Sequence, residues 1–189
     1  MIPKKIAIYG LVLLCFIQIY VAARMIYAYE NVLTTGTSFK LRIAPVDPTD
    51  PFRGKYITLR FRDNTLKVAK ASDWPQGSRA YVTFVEDSLG FARADDIFAQ
   101  PLPGREDYLE IMIENIIDHP DEQLVYLAFP FDRFYLEESR AAEAERLYQE
   151  ALASGMTEAY AHILVKNGHG TLADVIVGDK SVKNLGSPD

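Results

Sequence analysis

The start of the chain carries one uninterrupted apolar run. Residues 6–23 contain no charge, follow Lys4 and Lys5, and are closed by Arg24. At about 1.5 Å per helical residue, such a run reaches roughly 27 Å, close to the hydrocarbon thickness of a bilayer. We therefore predict that residues 6–23 contact the lipid bilayer as a spanning helix and that residues 1–29 form an N-terminal membrane anchor.

Two other interpretations of this apolar run are a cleaved signal peptide and a lipoprotein signal. Val21-Ala22-Ala23 fits the small-residue pattern that precedes a signal-peptide cleavage site. The apolar core is long for a signal peptide, however, and residues 25–29 continue it, so a retained signal-anchor is favoured. Cys15 follows two leucines and suggests a lipoprotein, but no small residue stands directly before it.

The orientation follows from the basic residues on either side of the run. Cytoplasmic flanks of spanning helices carry the excess of Lys and Arg. Lys4, Lys5 and the amino terminus precede the helix, against Arg24 alone after it. The predicted location is the cytoplasmic (inner) membrane, with the N-terminus inside and the C-terminal domain extracytoplasmic.

Beyond the anchor, apolar and polar residues alternate with a period of two, which is typical of half-buried strands. Gly, Pro, Asn and Asp separate the runs, and Asn167-Gly168 between the last two favours a tight hairpin turn. The predicted strands are 39–43, 56–61, 80–85, 91–94, 108–113, 124–129, 162–166 and 172–177. The fold class is α+β, with a mostly antiparallel sheet or small barrel after the transmembrane helix and a C-terminal β-hairpin.

One further helix is predicted over residues 138–154. Its apolar residues recur at intervals of three and four, and Gly155 is placed to end it. Residues 30–38, which include Thr34-Thr35-Gly36-Thr37, are predicted to be a connector. A single exported domain is then expected over residues 39–189.

Charge and cysteine content limit the classes of partner. From Glu30 onward, 17 Lys plus Arg stand against 26 Asp plus Glu, a net charge of −9. An acidic domain repels phosphate backbones, so nucleic acid is not an expected partner. The only cysteine, Cys15, lies in the apolar run, and the exported domain therefore contains no disulfide of its own.

Residues 45–61, PVDPTDPFRGKYITLRF, resemble the motif after which the bacterial, membrane-anchored GDYXXLXY family is named. Gly54, Tyr56 and Leu59 match the motif, whereas Lys55 replaces its aspartate and Phe61 its final tyrosine. Residues 134–138, the following helix and the closing hairpin are similar to the later half of that family. The resemblance implies an anchored, exported domain in a family without an established molecular role. It also makes an accessory role beside another membrane protein plausible.

The motif region and an aromatic segment near residue 130 are the predicted partner-binding surface. The prolines and aspartates of residues 45–51 favour a structured turn, which is either a corner of the fold or a binding edge. The density of aromatic residues in 129–135 suggests an exposed partner site. The candidate residues are Asp47, Asp50, Arg53, Gly54, Tyr56, Phe131, Phe134 and Tyr135.

No residue pattern identifies a reaction. The serines lack a recognisable nucleophile motif, and the histidines His119, His162 and His169 lack the spacing of a zincin helix. We therefore assign no catalytic, cofactor or metal residues, and a non-enzymatic accessory protein that contacts a membrane or envelope protein is the leading hypothesis. A membrane-anchored hydrolase and a small-ligand binding module are the alternatives.

Overall fold

The computed structural model of the chain describes residues 4–44, 56–135, 159–178 and 180–184. It begins with helix α1, Lys4–Thr35, whose apolar residues face outward for most of its length. At 1.5 Å per residue this helix is about 48 Å long, longer than the hydrocarbon core of a bilayer. Its last turns therefore extend beyond the predicted span of residues 6–23.

The end of α1 is joined directly to the sheet. The helix continues through Thr35 and the first strand begins at Thr37, so the structure has helix and strand where the sequence predicted a connector over 30–38. The Gly36 N–H donates to the Val32 carbonyl at 2.9 Å. The hydroxyl of Thr35 donates to the Asn31 carbonyl at 2.7 Å, which satisfies a terminal carbonyl of the helix.

The rest of the described chain is a nine-stranded sheet and a two-stranded ribbon. The sheet has the order β11-β10-β9-β1-β5-β4-β6-β7-β3, and β2 pairs with β8 in the ribbon. All pairs are antiparallel except β1 with β5. The strands are β1 Thr37–Arg42, β2 Tyr56–Thr58, β3 Thr65–Lys67, β4 Arg79–Glu86, β5 Ala92–Phe98, β6 Tyr108–His119, β7 Glu122–Ala128, β8 Arg133–Tyr135, β9 Ala159–Lys166, β10 His169–Val177 and β11 Lys180–Ser181.

The α+β class is confirmed, and the choice between sheet and barrel is decided. The outer strands β11 and β3 do not pair with each other, so the sheet is open rather than closed into a barrel. Seven of the predicted strands lie within or overlap β1, β4–β7, β9 and β10. The prediction of 56–61 is too long, because Leu59 leaves the ribbon and Phe61 forms an isolated bridge with Ile43. The short strands β3, β8 and β11 were not predicted.

The C-terminal hairpin of β9 and β10 is confirmed. Asn167 and Gly168 have φ of 50° and 81°, as the tight turn requires, and Lys166 pairs with His169 across it. The tip of this hairpin also contacts β6, since the Gly168 N–H donates to Tyr108 O at 2.9 Å. The curled sheet therefore brings the hairpin tip to the opposite half of the sheet.

The core lies on one face of this curled sheet. It includes Leu41, Val82, Leu109, Leu127 and Ile163, all of them almost fully buried. Within a strand such as β9, buried residues alternate with more exposed ones, as the period-two pattern requires. The predicted helix over 138–154 lies outside the described residues.

Candidate functional site

The two-stranded ribbon pairs a strand of the motif region, β2, with a strand of the aromatic segment, β8; both segments belong to the partner surface predicted from the sequence. Tyr56 pairs with Tyr135, and Thr58 pairs with Arg133. The end of the family motif and the aromatic segment, although far apart in the sequence, therefore lie side by side. Of the other predicted site residues, Asp47, Asp50, Arg53 and Gly54 lie outside the described residues.

The aromatic segment does not form a continuous exposed surface. Phe131 and Phe134 are only 5% and 9% exposed and belong to the core, whereas Tyr135 is 67% exposed. In β8 the exposure alternates because successive side chains of a strand point to opposite faces. Phe131 and Phe134 are thus placed inside the fold, and Tyr135 is the predicted aromatic that reaches the surface.

The second half of the family motif packs into the fold. Leu59 is buried, and its N–H donates to Asp132 O at 2.9 Å. The Phe61 ring meets the Phe129 ring edge-on with centroids 5.3 Å apart, and the Phe131 ring at 6.5 Å. Such edge-to-face pairs add stability to apolar burial. A phenylalanine in place of the motif's final tyrosine keeps this ring packing.

Two polar residues beside Tyr135 extend the candidate surface. Asp132 and Arg133 form an ion pair at 3.5 Å between Oδ2 and Nε, and their side chains are 77% and 48% exposed. We call Asp132, Arg133 and Tyr135, together with the adjoining strand β2, the ribbon surface. Asp132 and Arg133 were not among the site residues predicted from the sequence. The period-two alternation of Arg133, Phe134 and Tyr135 was the signal that would have placed Arg133 beside Tyr135.

Several acidic side chains of the loops on either side of β6 lie beside basic ones. Arg105 Nε and Nη2 donate to the two oxygens of Asp107 at 2.6 and 3.0 Å, and this pairing holds the pKa of Asp107 below its ordinary value. Lys166 lies 3.6 Å from Glu106. His119 and Asp121 form an exposed pair at the β6–β7 turn. Among the described residues, no three His, Cys, Asp or Glu side chains come together to hold a metal ion.

One serine lies next to a histidine. Ser38 Oγ and His162 Nε2 are 2.6 Å apart on the β1–β9 surface. A nucleophilic serine needs a base that is itself oriented by a third group. Asp174 lies opposite His162 in the strand register, but its oxygens accept from Ser181 Oγ and the Val175 N–H. The pair is exposed, and this geometry does not support a hydrolase.

Two adjoining depressions flank the C-terminal hairpin. The first, which we call the hairpin cleft, has a volume of about 610 Å³ between β6, the end of β7 and the start of β10. The second, the helix groove, has about 250 Å³ between α1 and the start of β10. At the rim of the hairpin cleft, Arg79 lies 3.3 Å from Glu110. Desolvation, and then the charge of Glu110, raise the pKa of Tyr81 beside this pair.

Fold and surface together describe a protein with a long N-terminal apolar helix and an open β sheet. Within the described residues, one helix is long and apolar enough to cross a membrane, over Ile8–Thr35. The family model of the GDYXXLXY protein matches residues 18–175, most of the chain, and the chain belongs to the GDYXXLXY family. Comparisons with curated proteins and with solved structures give no match.

Proposed function

We propose that this protein is a single-pass, membrane-anchored accessory protein whose extracytoplasmic domain binds another membrane or envelope protein through the ribbon surface. The observation that carries the proposal is the direct junction between α1 and the sheet. It holds the domain at a short, defined distance from the bilayer, where a neighbouring membrane protein is within reach.

The helix supports a retained anchor. It runs without a break through Val21-Ala22-Ala23, the candidate cleavage site, and ends in contact with the domain. Val32 is only 4% exposed, and Lys166 Nζ donates to Thr35 Oγ1 at 2.7 Å. Upstream of these contacts, the apolar side chains of α1 whose burial the structure describes are exposed. Because exposed apolar surface of this size is costly in water, lipid is the environment that suits it.

The proposed orientation places the domain outside the cytosol. Lys4 and Lys5 precede the helix and Arg24 follows its central part, which satisfies the positive-inside rule. The net charge of −9 after residue 29 also disfavours close contact with an anionic membrane surface or with nucleic acid. The partner is therefore expected to be a protein.

The ribbon surface has the composition of a small protein contact. Tyr135 supplies a rigid ring with a polar tip, and Arg133 and Asp132 supply opposite charges beside it. Tyr and Arg are enriched among residues that dominate binding energy. Phe134 and Phe131 lie behind this surface in the core, so the ring of Tyr135 is presented on a packed support rather than on a loose loop.

Site-directed photocrosslinking in cells tests this surface. A photoreactive residue at Tyr135 in the full chain is expected to form one defined adduct with a membrane or envelope protein. The matched control is Leu89, an equally exposed apolar side chain in the β4–β5 turn, 68% exposed against 67% for Tyr135. Crosslinking from Leu89 should not give that adduct.

A charge reversal makes the test specific to the surface. Arg133→Glu should reduce the Tyr135 adduct about tenfold, since losing one charge-assisted contact at an interface costs about 1.4 kcal/mol or more. Lys67→Glu, an exposed charge reversal on β3, is the control. Equal adducts from Tyr135 and Leu89, or an adduct insensitive to Arg133→Glu, would contradict the proposed surface.

A further inference from the structure

The hairpin cleft and the helix groove are continuous along the first residues of β10. His169 and Gly170 line both of them. The helix groove is walled on its other side by Met25, Tyr29 and Val32 of α1. The two depressions therefore form one continuous groove that runs from α1, past the hairpin, to the Arg79–Glu110 pair at the rim of the hairpin cleft.

The strand pairing explains why this groove is open. β11 pairs only with Ile176 and Val177, so the first half of β10 has no strand on that side among the described residues. Gly170 has no side chain, and a Cβ at this position would point toward the core side chains of Phe131 and Leu109, at 2.5 and 2.6 Å. The first residues of β10 therefore lie between α1 on one side and β6 on the other.

We propose that this continuous groove binds one bilayer phospholipid with a zwitterionic headgroup. One acyl chain of this lipid lies in the helix groove along α1, and the headgroup lies in the hairpin cleft beside Arg79 and Glu110. This inference rests on the retained membrane anchor proposed above but not on the proposed protein partner, since it uses a different part of the domain.

The position of the helix groove selects a lipid as the occupant. Met25, Ala28, Tyr29 and Val32 continue the apolar helix just beyond the predicted bilayer span of residues 6–23. An acyl chain that follows this helix passes from bilayer to groove without crossing water. A peptide or a soluble ligand has no such continuous apolar route. The hairpin cleft alone, at about 610 Å³, lies within the usual range of roughly 300–1,000 Å³ for ligand sites.

The charges at the far end select the headgroup. Arg79 Nη1 and Glu110 Oε1 are 3.3 Å apart, and both side chains are at least partly exposed. A guanidinium binds phosphate oxygens well, and a carboxylate accepts from an ammonium group. Phosphoethanolamine carries both groups. An anionic headgroup without an ammonium would leave Glu110 facing a like charge in a domain that is already acidic.

Photoreactive lipids test the acyl-chain site. The full chain is reconstituted in vesicles of phosphatidylethanolamine and phosphatidylglycerol with a trace of phosphatidylethanolamine bearing an acyl-chain diazirine. Labelling is expected on residues 169–171 in addition to the exposed part of α1. Ala28→Trp, which fills the helix groove, should lower labelling of 169–171 about tenfold, equivalent to about 1.4 kcal/mol. Ala23→Trp, on an exposed part of α1, is the matched control.

A second pair of variants tests the headgroup. Glu110→Lys should remove the preference of residues 169–171 for the phosphatidylethanolamine probe over a phosphatidylglycerol probe with the same chain. Glu122→Lys, an exposed reversal at the start of β7, should keep that preference. Melting temperatures of all variants are measured to show that each is folded.

Three results would overturn the proposal. Labelling confined to the first part of α1 would show ordinary lipid around a spanning helix. Labelling of 169–171 that is unchanged in Ala28→Trp, or is equal for both probes in the wild type, would show that the groove does not select the lipid. Protein–protein crosslinks from a photoreactive residue at Met112, without lipid labelling of the hairpin, would assign the groove to a peptide or a second copy.

Discussion

Replacing Gly36 by alanine should weaken the junction between α1 and the sheet. A Cβ at Gly36 would overlap the Val32 carbonyl oxygen and would lie 3.3 Å from both Leu164 Cβ and Val165 N. The first of these contacts is with backbone, so a rotamer change cannot relieve it. Either the last turn of α1 or the start of β1 must move, and the hydrogen bond from Gly36 N to Val32 O is then weakened.

The size of the effect follows from these two losses. One backbone hydrogen bond contributes about 1 kcal/mol, and overpacking at a tight site costs about 1–3 kcal/mol. We expect a loss of about 2–4 kcal/mol in the free energy of unfolding. For a chain of this size, that corresponds to a melting temperature lower by roughly 4–16 °C.

The assay is thermal unfolding of the full chain in detergent, followed by the fluorescence of Trp74, the only tryptophan. Gly10→Ala is the matched control, because a Cβ there meets nothing within 4 Å and alanine favours a helix. The reasoning is refuted if Gly36→Ala melts within about 1 °C of the Gly10→Ala protein.

Three further outcomes are expected. Gly170→Ala should lower the free energy of unfolding in urea by about 1–3 kcal/mol, because its Cβ would press on Phe131 and Leu109; wild-type stability would contradict the packing. The pKa of Asp87 lies below its ordinary value, chiefly because the Phe91 N–H donates to its carboxylate, so its stabilisation is present above the unfolded pKa and is lost as the pH falls. Asp87→Asn should therefore flatten the decline of the urea midpoint below about pH 4, and an unchanged slope would refute this. An export-dependent reporter fused to the C-terminus should be active, and activity of a cytosolic reporter instead would reverse the proposed orientation.

Local patterns in the sequence identified most of the elements. The charge-free run predicts α1, and period-two alternation predicts strands such as β1 and β4, because both patterns depend on residues close together in the chain. Asn167-Gly168 predicts the last hairpin for the same reason, since the turn needs positive φ at these two positions. The family motif is a contiguous stretch of sequence, so it can also be recognised without the tertiary structure.

The arrangement of these elements required contacts between distant residues. Arg42 occupies an outward, polar position in the alternation of β1, yet its guanidinium stacks on Phe91 at 4.2 Å and lies 2.7 Å from Asp87. Its role therefore depends on the parallel pairing of β1 with β5. No local sequence pattern predicts that pairing, because β1 and β5 are far apart in the sequence.

The candidate site divides in the same way. The family motif and the aromatic segment could be identified in the sequence, because residue type and the density of aromatic residues are properties of the chain itself. The tertiary structure was needed to show that Tyr56 pairs with Tyr135 and that Phe131 and Phe134 are buried in the core. It was also needed to show that α1 lies beside the start of β10. These outcomes depend on which face of each strand is buried. The burial of a residue is decided by the whole sheet rather than by that residue's neighbours in the sequence.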